Sequence, residues 1–139
     1  MAGTGEFTKR GGTVVADETS NPDDSNYQSV ITKVKHKGPL AVYYGGEYPN
    51  AGPLSQQMKA AGLNVPLMGG DGIYDPKFIA LAGTTSAGDL ATSVGAPTDQ
   101  LAAGQKFLAD YAAAGYKDPA AAYGAYSFGA ANAIINALK

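Results

Sequence analysis

Apolar residues fall into two alternating patterns along this chain. Four short runs are almost continuously apolar: Thr13–Ala16, Leu40–Tyr44, Val65–Met68 and Leu90–Val94. Between them, apolar residues recur at three- and four-residue spacing. Short runs bounded by Gly, Pro, Asn or Asp predict buried strands, and the intervening periodicity predicts helices. Strand–helix alternation of this kind predicts an α/β chain, a parallel sheet with helices on both faces.

Helix boundaries are readable from local chemistry. Ser25-Asn26-Tyr27-Gln28 has the form of a capping box, after an acidic turn at Pro22-Asp23-Asp24. Tyr27, Val30, Ile31 and Val34 then share one face, and Gly38-Pro39 stops the helix. A second helix over 51–61 buries Ala51, Leu54, Met58 and Ala61, with Gly62 placed for the left-handed position that ends it. A third, weaker one covers Pro76–Leu81 and closes at Gly83. Beyond Gly95-Ala96-Pro97-Thr98 two helices follow with no strand between them, over 99–114 and 120–138. Their predicted faces are Leu101, Gly104, Leu108 and Tyr111, and Tyr123, Ser127, Ala130, Ile134 and Leu138. At the start, Glu6-Phe7-Thr8-Lys9-Arg10 before Gly11-Gly12 reads as the last turn of a helix. A helix that short is marginal because nucleation is costly, so we expect 1–12 to be the residue of a longer element in a truncated chain.

Composition narrows the chemistry. Of 139 residues, 45% are hydrophobic and 16% charged, enough for a core. We expect Val14, Val15, Val30, Ile31, Val42, Leu54, Met58, Leu67, Ile79, Leu90 and Leu108 to carry it. The net charge is −2, and the cluster Lys33, Lys35, His36 and Lys37 sits at a helix end where cations complement the dipole. No nucleic-acid footprint results. With no cysteine and one histidine, thiolate metal sites and Ser-His-Asp chemistry lack their residues, and no cofactor is expected. No apolar run reaches the roughly 18 residues of a membrane span. Gly69-Gly70-Asp71-Gly72 lacks the lysine of a phosphate loop, and Ser127-Phe128-Gly129 lacks the pattern of a nucleophile elbow. Asp75, Asp89, Asp99 and Asp110 read as surface acids, and no reaction is expected.

One stretch is more specific. Ala41-Val42-Tyr43-Tyr44-Gly45-Gly46-Glu47-Tyr48-Pro49-Asn50-Ala51-Gly52, followed by Pro66-Leu67-Met68-Gly69-Gly70-Asp71-Gly72 and by Ala120-Ala121-Ala122-Tyr123, resembles the branched-chain amino acid solute-binding proteins of ABC transporters. These are type I periplasmic binding proteins with two flavodoxin-like α/β lobes and a hinge. The resemblance implies that 13–95 is second-lobe sequence lacking its first strand and first helix. It implies that 96–139 crosses the hinge into a helical pair of the first lobe. It further implies a small amino acid ligand, a permease as the parent protein's partner, and an extracytoplasmic location.

The resemblance also assigns site residues. Asp71 matches the acidic anchor for the ligand's ammonium, where glutamate is familiar. Glu47 departs from a tyrosine that packs on the ligand, so either the ligand is more cationic or polar than leucine, or Tyr48 takes the aromatic role. Tyr123 matches an aromatic that walls the pocket from the hinge side. Tyr43 and Tyr44 are expected to pack beneath the loop, and Tyr74 could edge the cleft. With one lobe, binding is expected to be weak or absent. An absent central strand leaves edges that invite pairing, and we expect a homo-oligomer through exchanged elements. The other reading is a self-standing flavodoxin-like or receiver-like interaction domain, for which Asp17-Glu18 is the sole acidic pair after a first strand.

Overall fold

The computed structural model describes residues 2–121 and 123–139. Met1 and Ala122, the latter within the Ala120–Tyr123 segment, lie outside the described residues. The elements run α1 (Ala2–Lys9), α2 (Gln28–Lys35), β1 (Val42–Tyr44), α3 (Tyr48–Ala60), β2 (Leu67–Gly69), α4 (Pro76–Ala82), β3 (Leu90–Ala91), α5 (Ala102–Ala113) and α6 (Gly124–Ala137). The strands form one parallel sheet in the order β1-β2-β3, with Val42 opposite Leu67 and Met68 opposite Leu90. The α/β parallel class expected from the sequence is the observed one.

α3 and α4 connect successive parallel strands in one direction, which the general right-handedness of such connections places on one side of the sheet, and the two helices pack on each other. The core lies beneath them: Tyr27, Ile31, Ala51, Leu54, Met58, Leu63, Leu67, Ile73, Phe78 and Ala82. Strand alternation sends Val42, Tyr44 and Leu67 into it. The opposite row is uncovered, with Tyr43 68% exposed, Met68 37% and Leu90 54%. Helical cover on both faces, the expectation from continuous apolar runs, is therefore not met at this row.

Several expectations need correction. Thr13–Ala16 is not a strand: among the described residues no ladder bond reaches it, and a strand exists only through such partners. Val14 and Val15 are accordingly exposed, as are Ile79 and Leu90, all four placed in the core from hydropathy alone. With no strand before it, Asp17-Glu18 loses its receiver-like context, and Glu18 instead pairs with Lys33 at 3.2 Å. The capping box does not form. Gln57 of α3 accepts the Tyr27 N–H at 2.8 Å, and Asn26 takes over the Gln28 N–H at 3.0 Å. On α5 the buried face is Gly104 and Phe107, and α6 buries no residue. Asp89 is no surface acid. Its carboxylate, 1% exposed, accepts from Lys59 Nζ at 3.2 Å, Ser55 Oγ at 2.6 Å and the Leu67 N–H at 2.9 Å.

Other signals were faithful. Gly62 adopts φ 74°, and behind it the Leu63 N–H reaches the Met58 carbonyl while the Gly62 N–H reaches Lys59. That pair of bonds is a Schellman stop, with Leu63 and Met58 both in the core. Asp75 caps α4 by accepting the Lys77 N–H at 2.7 Å, and Gly83 closes it at φ 61°. α3 starts earlier than its periodicity suggests because Pro49 suits the first turn.

Candidate functional site

Two loops leave the carboxyl ends of neighbouring parallel strands, where open α/β sheets bind ligands. After β1 the chain passes through Gly45-Gly46 to Glu47, extended at φ −108° and ψ 166°, which opens α3. After β2 it passes through Gly70 into a 3-10 turn over Asp71–Ile73. Small residues set how closely the loops approach. A methyl group on Gly72 would sit 2.9 Å from the Gly46 carbonyl oxygen and 3.5 Å from Glu47 Cγ. One on Gly69 would meet Ile73 Cδ1 at 2.5 Å. Gly72 thus brings the Asp71 turn against Glu47, through a contact that local periodicity does not encode.

Tyr123 reaches this place from the far end of the chain. Its hydroxyl donates to Asp71 Oδ2 across 52 residues of sequence. That bond raises the Tyr123 pKa above 10.0, aided by desolvation and by the negative charges of Asp71 and Glu47. Tyr44 is also raised, first by burial and then by the neighbouring Tyr27 and Glu47. Glu47 is exposed and makes no side-chain cap to α3. Tyr48, one residue on, is partly buried and packs against the core. Of the four residues singled out in the sequence, Asp71, Glu47 and Tyr123 therefore converge, while Tyr48 turns inward.

A cleft of about 540 Å³ lies between α4, the exit of β3 and the α5–α6 pair. Tyr74, Phe78, Phe107 and Tyr126 are among its walls. Tyr74, considered as an edge of the cleft at Asp71, lines this cavity, whose walls include none of Asp71, Glu47 and Tyr123. Phe107 and Tyr126 escaped the sequence reading, although Phe107 stands three residues after Gly104 and four before Tyr111 on one helical face. No group of acids and histidines fit to hold a metal ion occurs among the described residues. No described helix is long and apolar enough to cross a membrane.

Residues 3–139 match the family described as periplasmic binding protein. The chain belongs to that family. Among curated relatives of this periplasmic binding protein, the Leu/Ile/Val-binding protein homolog 3 of Brucella melitensis is 33% identical over 97 residues, which are 70% of this chain and 26% of the relative. Among solved structures, the branched-chain amino acid transporter substrate binding protein LivJ of Streptococcus pneumoniae, in complex with isoleucine, superposes with a TM-score of 0.82 at 28% identity. That match covers 99% of this chain and 40% of LivJ. An ABC transporter solute binding protein from R. palustris, in complex with benzoate, gives a TM-score of 0.69 at 30% identity over 87% of this chain and 33% of its own. The chain spans a fifth to a third of the length of the curated relatives it matches.

Proposed function

We propose that this chain is part of an amino-acid-binding protein of the branched-chain type, and that it takes part in binding and not in a reaction. The observation that carries the reading is the Asp71 carboxylate at the carboxyl end of β2, met by the Tyr123 hydroxyl. A carboxylate in that position makes a charge-assisted hydrogen bond to an ammonium, and Tyr123 closes over it. LivJ, which matches nearly the whole of this chain over 40% of its own length, was solved with isoleucine, an amino acid with such an ammonium. Benzoate, the ligand of the R. palustris protein, has none and would face Asp71 with like charge.

Residues 13–95 then serve as the second lobe and 96–139 as the hinge crossing with a helical pair. Delivery of ligand to an ABC-transporter permease, outside the cytoplasm, follows for the parent protein. The chain by itself binds weakly, since one wall of a cleft forgoes several hydrogen bonds worth about 1–3 kcal/mol each. Its uncovered surfaces favour a homo-oligomer through exchanged elements.

Isothermal titration with leucine, isoleucine and valine tests the site. Weak heats in the wild type that vanish in Asp71→Ala are expected. Binding of undiminished strength in Asp71→Ala would remove the anchor and the reading with it.

A further inference from the structure

Beyond α1 and the loop that follows it, the chain packs as two parts, each with its own apolar centre. The core beneath α3 and α4 runs from Tyr27 to Ala82. Phe107 is buried too, but outside that core: its ring packs on Tyr111 and Phe128 at centroid distances of 5.7 and 5.5 Å. Within this second part the fit is close. A methyl group on Gly104 would collide with the Thr98 carbonyl, and one on Gly124 would lie 3.1 Å from Phe107 Cζ. Between the parts it is loose, since the cleft of about 540 Å³ lies there, with Phe78 on one side and Phe107 on the other. Each ion pair among the described residues stays within one part. The chain crosses through 92–97, where the Tyr126 hydroxyl donates to the Ala96 carbonyl at 3.2 Å.

The Tyr123 hydroxyl spans the gap to Asp71 Oδ2. Asp71 belongs to the first part, in the 3-10 turn after β2, and Tyr123 to the second, as the N-cap of α6. Where packing is loose, one hydrogen bond to an ionised acceptor decides a docking equilibrium, because its usual worth shifts a two-state balance at least about tenfold. The same bond occupies the carboxylate that the amino-acid reading gives to the ligand. A phenol brings a dipole to Asp71 and an ammonium brings a full charge, so the ammonium is the stronger donor. We propose that Tyr123 and Asp71 form a latch, which docks α5 and α6 on the strand-end loops while the site is empty and is released when a ligand's ammonium takes the carboxylate.

The release rests on the amino-acid site proposed above, and the measurements separate the two. The chain has no cysteine, so dyes on Lys37→Cys and Lys117→Cys report the distance between the parts without interference. Single-molecule energy transfer at picomolar concentration follows one copy at a time. The wild type should give one narrow distribution. Tyr123→Phe and Asp71→Ala, which cut the latch from either end, should each lower the ratio of docked to undocked chains at least about tenfold. L-leucine at saturation should move the wild type the same way and leave Tyr123→Phe where it is. 4-Methylpentanoate, the leucine skeleton without its ammonium, should move neither. A distribution unchanged by both substitutions overturns the latch. Leucine that binds by calorimetry but leaves the wild-type distribution in place overturns the release and leaves the amino-acid site standing. Leucine that binds neither the wild type nor Tyr123→Phe ends the amino-acid site and the release together, while the two substitutions still decide the latch.

Discussion

The Tyr123 hydroxyl donates a hydrogen bond to Asp71, and that single bond makes its ring a reporter of the site. Because the folded pKa is raised above the free value near 10, the stability linked to this group is complete below about pH 10. It is lost as pH rises through the higher folded value. Asp71→Asn removes the charge and leaves only a neutral amide oxygen as acceptor, so the Tyr123 pKa should fall back toward about 10, read from the ring Cζ carbon resonance. A titration midpoint unmoved by Asp71→Asn would show that the hydroxyl does not rest on this carboxylate in solution. Tyr123→Phe carries the same logic into stability, since it should lose the wild type's pH dependence on the alkaline side. Asp71 is singled out in the sequence by the family resemblance, which matches it to an acidic anchor at a strand end. Its bond to Tyr123 could not be read there, since no local pattern ties residue 71 to residue 123.

Among the elements, legibility followed the range of the interactions that decide each one. α4 is set by Asp75 before it and Gly83 after it, and both lie within a turn of the helix they bound. The end of α3 at Gly62 is equally local. Thr13–Ala16 has strand-like composition, but pairing is a non-local decision and no ladder reaches it. Asp89 shows the same limit from the polar side. Its sequence neighbours are those of a turn, yet its carboxylate ties α3, β2 and the entry to β3 through Lys59, Ser55 and the Leu67 N–H. Asp89→Ala strips the counter-charge from Lys59, which keeps only the Val65 carbonyl, and leaves Ser55 a long bond to the Thr85 carbonyl, so it should cost about 3–5 kcal/mol in urea unfolding. A loss below about 1 kcal/mol, the scale of a surface pair, would mean that the network is solvated. The α3–α4 contact makes a separate prediction. A methyl group on Gly52 would lie 2.5 Å from Leu81 Cβ and 3.4 Å from the Ala82 nitrogen, so Gly52→Ala must push the helices apart. Its expected cost is about 1–3 kcal/mol despite the better helix propensity of alanine. A stabilised variant would show that the two helices have room to separate.

The whole molecule leaves two apolar surfaces open to water. α6 has no Asp, Glu, Lys, Arg or His, buries none of its side chains, and shows Ile134 at 63% and Ile135 at 50% exposure. Helices apolar on all sides are normally enclosed. The second surface is the sheet row of Tyr43, Met68 and Leu90, beside the free edge of β1. In the homo-oligomer proposed above, α6 of one protomer would lie on the uncovered sheet of its partner, and two-fold symmetry would repeat the contact. Light scattering at tens of micromolar should then give twice 14.1 kDa. Because the contact joins two distinct surfaces, a charge on either should dissociate it, so Ile134→Lys and Met68→Lys should each return the chain to 14.1 kDa without unfolding it. A wild-type monomer would assign both surfaces to further chain instead, in keeping with a match that covers 40% of LivJ. If Ile134→Lys dissociates the dimer and Met68→Lys does not, α6 pairs with α6 and the sheet face is left out, which ends the exchange reading while keeping the oligomer.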